Sequence, residues 1–170
     1  MRNTIIFLLC CTLASTVNIF GQDSEALIFL VRHADRLGNN DALSEEGVKR
    51  SLALAHVLER VELDAIFSTD YTRTIETVKP LADQQQLEIE IYDPRDLNGL
   101  LSIIQSKYAG GRVLVVGHSN TIPQTINAMG VQPVLEDLNH DAYDDLFMVT
   151  LGANSLPALV SLQYGAQDHH

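Results

Sequence analysis

Residues 26–31 are all apolar and Arg32 follows them, the unbroken run of a strand buried on both faces. A turn-rich stretch over 35–42 comes next. Ser44 then offers an N-cap, and Glu45 and Glu46 fall in the first turn, where a helix dipole favours them. Val48, Leu52, Ala55 and Leu58 recur at helical spacing, which predicts a helix packing that face on a sheet. His56 reads as a half-buried packing residue of that helix. Residues 64–68 form a second strand. Thr69 or Asp70 is expected to cap a helix beginning near Tyr71, and Pro80 to kink or end it.

Alternation over 87–92 predicts a third strand, and Leu97, Leu100, Leu101 and Ile104 mark another amphipathic helix that Gly110 and Gly111 terminate. The clearest strand is 112–116, which is aliphatic and β-branched after its arginine. It runs straight into Gly117-His118-Ser119-Asn120, where a helix starts with Pro123 in its first turn and Gly130 at its end. Residues 146–151 and 158–162 close the chain as a hairpin that makes the sheet edge antiparallel. The pattern predicts an α/β fold: a three-layer sandwich with a mostly parallel central sheet of about six strands and helices on both faces.

Open α/β sheets bind ligands at the carboxyl ends of their strands. Arg32 and His33 end the first strand, Arg73 lies in the first turn after the second, Asp93 ends the third and His118 ends the fourth. Two guanidiniums and two imidazoles at one sheet edge suit a phosphoryl group, because the planar arginine fork matches phosphate oxygens. The helix after His118 would add its positive end. A neutral imidazole is a competent nucleophile toward phosphorus. Neighbouring arginines keep His33 neutral, and a backbone carbonyl is expected to fix its other nitrogen.

Composition narrows the field. The chain has 170 residues, 46% of them hydrophobic, and a formal net charge of -11, which fits one folded domain. No lysine–arginine cluster is present, so nucleic acid is excluded as a partner. Met1 and Arg2, the apolar run 5–14 and the region 15–21 follow the order of a secretory signal, so residues 1–21 are expected to be removed on export to a periplasm or beyond. Residues 22–170 then form the domain, with no membrane attachment after cleavage. Cys10 and Cys11 both lie in the signal, which excludes a disulfide scaffold, a zinc-thiolate protein and a cysteine phosphatase.

Leu30-Val31-Arg32-His33-Ala34 resembles the Arg-His-Gly signature of the histidine phosphatase superfamily, whose fold is phosphoglycerate mutase-like. The stretch from Ser68 to Thr74 resembles its second arginine motif, and Val116-Gly117-His118-Ser119 its second histidine motif. The resemblance implies a phosphatase acting without a metal or other cofactor. It would form a covalent phosphohistidine on His33, with Arg32, Arg73 and His118 holding the phosphate of a small phosphorylated substrate or of phosphohistidine. Ala34 replaces the usual glycine. Leaving-group protonation calls for a carboxylic acid of raised pKa. Larger members carry an aspartate after the second histidine, where this chain has Ser119. Asp93 lies nearest to the glutamate of the mutase branch and is the favoured acid; Asp96, Asp35 and Asp145 are alternatives.

Each motif alone has a plainer reading. Arg32-His33 is then a strand end, Gly117-His118-Ser119-Asn120 a tight turn, and Arg73 a surface partner of Asp70 or Glu76. Acidic residues 136–145 lack the spacing of a calcium loop and read as a solvated loop bordering the site, with His140 facing solvent. Ser119 lacks the Gly-x-Ser-x-Gly context of a serine hydrolase. A non-catalytic phosphate-binding module and a phosphomutase are the competing functions. Substrate preference is expected to come from 35–42, 93–97 and 135–145.

Overall fold

The computed structural model describes residues 25–152 and 154–167. The signal reading of 1–21, both cysteines and the terminal histidines lie outside the described residues. Ten elements follow one another: β1 (Ala26–Arg32), α1 (Glu45–Val57), β2 (Ala65–Ser68), α2 (Thr72–Gln85), β3 (Ile89–Ile91), α3 (Leu97–Lys107), β4 (Arg112–Gly117), α4 (Thr121–Ala128), β5 (Asp145–Leu151) and β6 (Ala158–Gln163). The six strands form one sheet in the order β3-β2-β4-β1-β5-β6. The first four in that order are parallel, whereas β5 runs antiparallel to β1 and β6 antiparallel to β5.

The sheet separates two cores. Ile28, Leu30, Phe67, Val113 and Val115 point to one face and pack with Leu100 and Ile104 of α3 and Ile122 and Ile126 of α4. Phe29, Val31, Ile66, Leu114 and Val116 point to the other and meet Leu54 and Ala55 of α1 and Val78, Leu81 and Ala82 of α2. Strand alternation thus sends neighbouring residues of β1 and β4 into opposite layers, which is why these runs lack polar positions. This is the three-layer α/β sandwich that the periodicity implies.

Some local expectations need correction. Val48 and Leu52 face solvent, at 49% and 56% exposure, and α1 buries Gly47, Arg50, Ser51, Leu54 and Ala55 instead. One ion pair and one close approach, both to Asp35, hold the helix in this orientation. Arg50 donates from Nε to Asp35 at 2.7 Å, and Gly47 lies so close to the Asp35 carbonyl that a Cβ would stand 2.1 Å from it. His56 is exposed and pairs with Glu59. Helix α2 continues through Pro80 to Gln85, because Val78, Leu81 and Ala82 anchor both sides of the proline in the core. Its N-cap is Tyr71, with no side-chain cap bond, rather than Thr69 or Asp70. Asp144, expected to be solvated, is buried and accepts from Gln163 at 3.1 Å.

Candidate active site

Parallel pairing of β1 with β4 sets Arg32 beside Gly117, so His33 and His118 leave the sheet together. The His33 N–H donates to the Gly117 carbonyl at 2.9 Å, and the two rings meet edge-on with centroids 5.5 Å apart. Gly117 allows this crossing: a Cβ there would lie 2.7 Å from the Thr121 hydroxyl and 2.9 Å from that of Tyr92. Helix α4 begins at Thr121, three residues beyond His118, and the Thr121 hydroxyl accepts the His118 N–H at 2.8 Å.

His33 is 5% exposed. Its Nδ1 is 2.8 Å from the Ala34 carbonyl, an acceptor only, so Nδ1 carries the proton and Nε2 keeps its lone pair. Burial, reinforced by Arg32, Arg73 and His118, lowers the ring's pKa to about 3, against the upward pull of the Ala34 carbonyl. The ring is therefore neutral at ordinary pH. Burial also lowers His118 to about 4, helped by Arg73 and Arg32 and opposed by Asp41. His118 Nε2 lies 3.1 Å from the Thr69 hydroxyl, and Arg73 Nη2 approaches its Nδ1 at 3.4 Å.

The two arginines are anchored differently. Arg32 is 4% exposed, and its Nη1 donates to the carbonyls of Asn139, His140 and Ala142 at 3.1, 2.7 and 3.0 Å. Its guanidinium also stacks on Tyr143, 4.0 Å from the ring centroid. Arg73 pairs through Nη1 with Asp41 and lies over Tyr71, 4.4 Å from the centroid. Nε of Arg32 and Nε of Arg73 are buried with no acceptor among the described residues, a pairing pattern that suits an oxyanion. Thr77 ties the walls together: its hydroxyl accepts the Ala34 N–H at 2.8 Å and donates to the Arg73 carbonyl at 2.7 Å.

The structure thus brings Arg32, His33, Arg73 and His118 to one place, while Asp93 is turned to Arg95. Asp93 is exposed, and Arg95 holds its carboxylate through the side chain and backbone N–H, lowering its pKa to about 2. A general acid needs the opposite shift. The alternatives are also committed: Asp35 to Arg50, and Asp96 to the Gly99 N–H as the cap of α3. Asp145 opens β5. Arg73 pairs with neither Asp70 nor Glu76. Asp41, Thr69, Thr77, Tyr71 and Tyr143 are site neighbours that sequence reasoning did not single out for a role. The Ser68–Thr74 motif and the loop positions hinted at all of them but Thr77, which lies inside α2. Next to His118 a groove of about 580 Å³ is lined by Tyr71, Pro94, Arg95, Leu97, Asn120 and Gln124, a natural place for the rest of a substrate. Among the described residues no group of three or more histidine, cysteine or acidic side chains has the geometry to hold a metal ion.

Two imidazoles and two guanidiniums thus meet at the carboxyl edge of this sheet. The model of the histidine phosphatase superfamily (branch 1) matches residues 28–95. The protein histidine phosphatase SixA, solved with tungstate, superimposes with a TM-score of 0.62 at 17% identity, covering 81% of this chain and 96% of that one. A mycobacterial glucosyl-3-phosphoglycerate phosphatase gives 0.63 at 16% identity over 74% and 90% of the two chains. A protein described as mycobacterial hydrolase 1 gives 0.69 at 16% identity over 84% and 100%. No curated protein matches the sequence significantly. Family match and shared fold bear out the resemblance to the histidine phosphatase superfamily and its phosphoglycerate mutase-like architecture.

Proposed function

We propose that this chain is a phosphatase that works through a covalent phosphohistidine on His33. One observation carries the reading: Nδ1 of His33 is bonded to the Ala34 carbonyl at 2.8 Å, so the Nε2 lone pair remains for attack inside a pocket bordered by two guanidiniums and a second imidazole. In the first step Nε2 bonds to phosphorus and the bond to the leaving group breaks, the leaving group taking the electron pair. Arg32, Arg73 and His118 stabilise the charge on the equatorial oxygens. His118, neutral in the free site, donates from the nitrogen facing the phosphoryl group once the anion raises its pKa. Water then attacks phosphorus, the P–N bond breaks, and His33 returns neutral as inorganic phosphate leaves.

The acid side of the site favours a particular leaving group. Arg95 holds Asp93 in its ionised form, and the Thr72 N–H and Arg73 do the same for Asp41 against desolvation; Asp35 is paired with Arg50, and Asp96 caps α3. A phosphoramidate such as phosphohistidine, whose imidazole leaves without help from a carboxyl group, fits better than an alkyl monoester. No step calls for a metal, and activity is expected to survive EDTA.

Rapid-quench measurement with a ³²P-labelled phosphoramidate tests the reading. An acid-labile, base-stable phosphoenzyme should form in the wild type and be missing in His33→Ala. Anion binding with no phosphoenzyme and no turnover would instead favour a phosphate-binding module, a reading that the pairing of Asp93 with Arg95 also supports. Export rests on the pattern of residues 1–21. Mass spectrometry of the exported protein checks it, with processing near Gly21 and Gln22 expected.

A further inference from the structure

We infer that Asp41 is a positioning residue that acts through Arg73, orienting the guanidinium toward the phosphoryl site. The inference rests on the phosphatase reading above. Asp41 lies in the turn-rich loop after β1, 32 residues before Arg73. One carboxylate oxygen pairs with Arg73 Nη1, and the other accepts the Thr72 N–H at 2.8 Å. The single carboxylate therefore does two things: it occupies a free N–H at the start of α2, where no side chain of the preceding residues caps the helix, and it fixes one arm of the fork.

The rest of the guanidinium explains why that matters. Its face lies on Tyr71, Nη2 approaches His118 at 3.4 Å, and Nε is buried without an acceptor. With Nη1 turned to Asp41, the Nε and Nη2 edge is directed to the side of His118. A second contact holds the loop in register, since the Leu43 N–H donates to Glu76 on the same helix at 3.0 Å. Asp41 is 44% exposed and Arg73 17%, so this pair sits at the mouth of the pocket, not in the core. The carboxylate also removes part of the positive charge near the anion, yet the pair persists, as expected if orientation outweighs lost attraction.

A double-mutant cycle separates this role from loop anchoring. Asp41→Asn keeps an acceptor for the Thr72 N–H and removes the charge that holds Nη1. It is expected to lower kcat about tenfold and weaken orthovanadate binding by a similar factor. Asp41→Glu should recover part of both. In an Arg73→Ala background, Asp41→Asn should change neither by more than about twofold. Equal losses with and without Arg73 would overturn the proposal in favour of a purely structural loop contact. Tighter vanadate binding in Asp41→Asn would overturn it as well. Calorimetric vanadate binding reads the cycle independently of turnover, so an inactive wild type would sink the phosphatase reading and leave the Asp41 result intact.

Discussion

Arg32 and Arg73 border the same two imidazoles, yet one wall of the pocket holds its arginine with neutral main-chain oxygens and the other with a carboxylate. Arg32 is buried, and three carbonyls occupy its Nη1 without reducing its charge. Arg73 is at the mouth, half neutralised by Asp41. The first arrangement keeps a full cation in a poorly solvated place, where it acts strongly on His33. The second gives an oriented donor with a weaker field. Burial remains the main cause of the His33 shift, with the two arginines secondary.

His33→Ala should lower turnover of a phosphoramidate about a thousandfold or more in steady-state assays, while both arginines still bind vanadate. Arg32→Lys should cost about a hundredfold in kcat/KM, since lysine cannot both satisfy three carbonyls and aim a separate donor at the anion, and Arg73→Lys about tenfold, since its ammonium lacks the fork that serves Asp41 and the anion at once. The reverse order would show that the mouth, and not the buried wall, carries the electrostatics. Thr77→Val leaves the buried Ala34 N–H without its acceptor and should lower unfolding free energy in urea by about 2 kcal/mol. A loss of activity larger than the loss of stability explains would mark Thr77 as the tie that aligns the walls.

The smallest effect is on pH. His33 binds its proton more weakly in the folded chain, with a pKa of about 3 against 6.5 for an unperturbed histidine. The unfolded chain therefore takes up a proton that the native chain refuses. Stability should be constant on this account above about pH 7 and fall as pH drops from 6.5 toward 3, by about 1 kcal/mol from His33 at pH 5.5. Urea titrations of wild type and His33→Gln at pH 7.5 and 5.5 check the difference.

Most of the fold was legible because strands buried on both faces leave uninterrupted apolar runs, and β1 and β4 are such strands. The orientation of α1 was not legible. Val48 and Leu52 have the right spacing for a core face, but the Arg50–Asp35 pair and the tight approach of Gly47 decide which side faces inward. Those contacts reach to a loop that carries no periodicity. The four-residue cluster at the sheet edge could be found because strand ends are points the sequence marks. Asp41 and Tyr143 could not, since they lie in irregular segments placed only by tertiary contacts. Asp93 was found at the right strand end, but its proximity to Arg95 settles its protonation, and helix-and-strand reasoning does not show which neighbour a surface carboxylate will choose.

The grip on Arg32 by residues 139, 140 and 142 uses peptide oxygens alone. Every amino acid supplies that oxygen, so the exposed side chains at 139 and 140 are free to diversify without loosening the anchor, whereas the buried Ala142 must stay small. Insertions and deletions are another matter, because they would shift the spacing of the oxygens. Libraries that randomise composition here at constant length should therefore keep vanadate binding, and libraries that vary length should lose it.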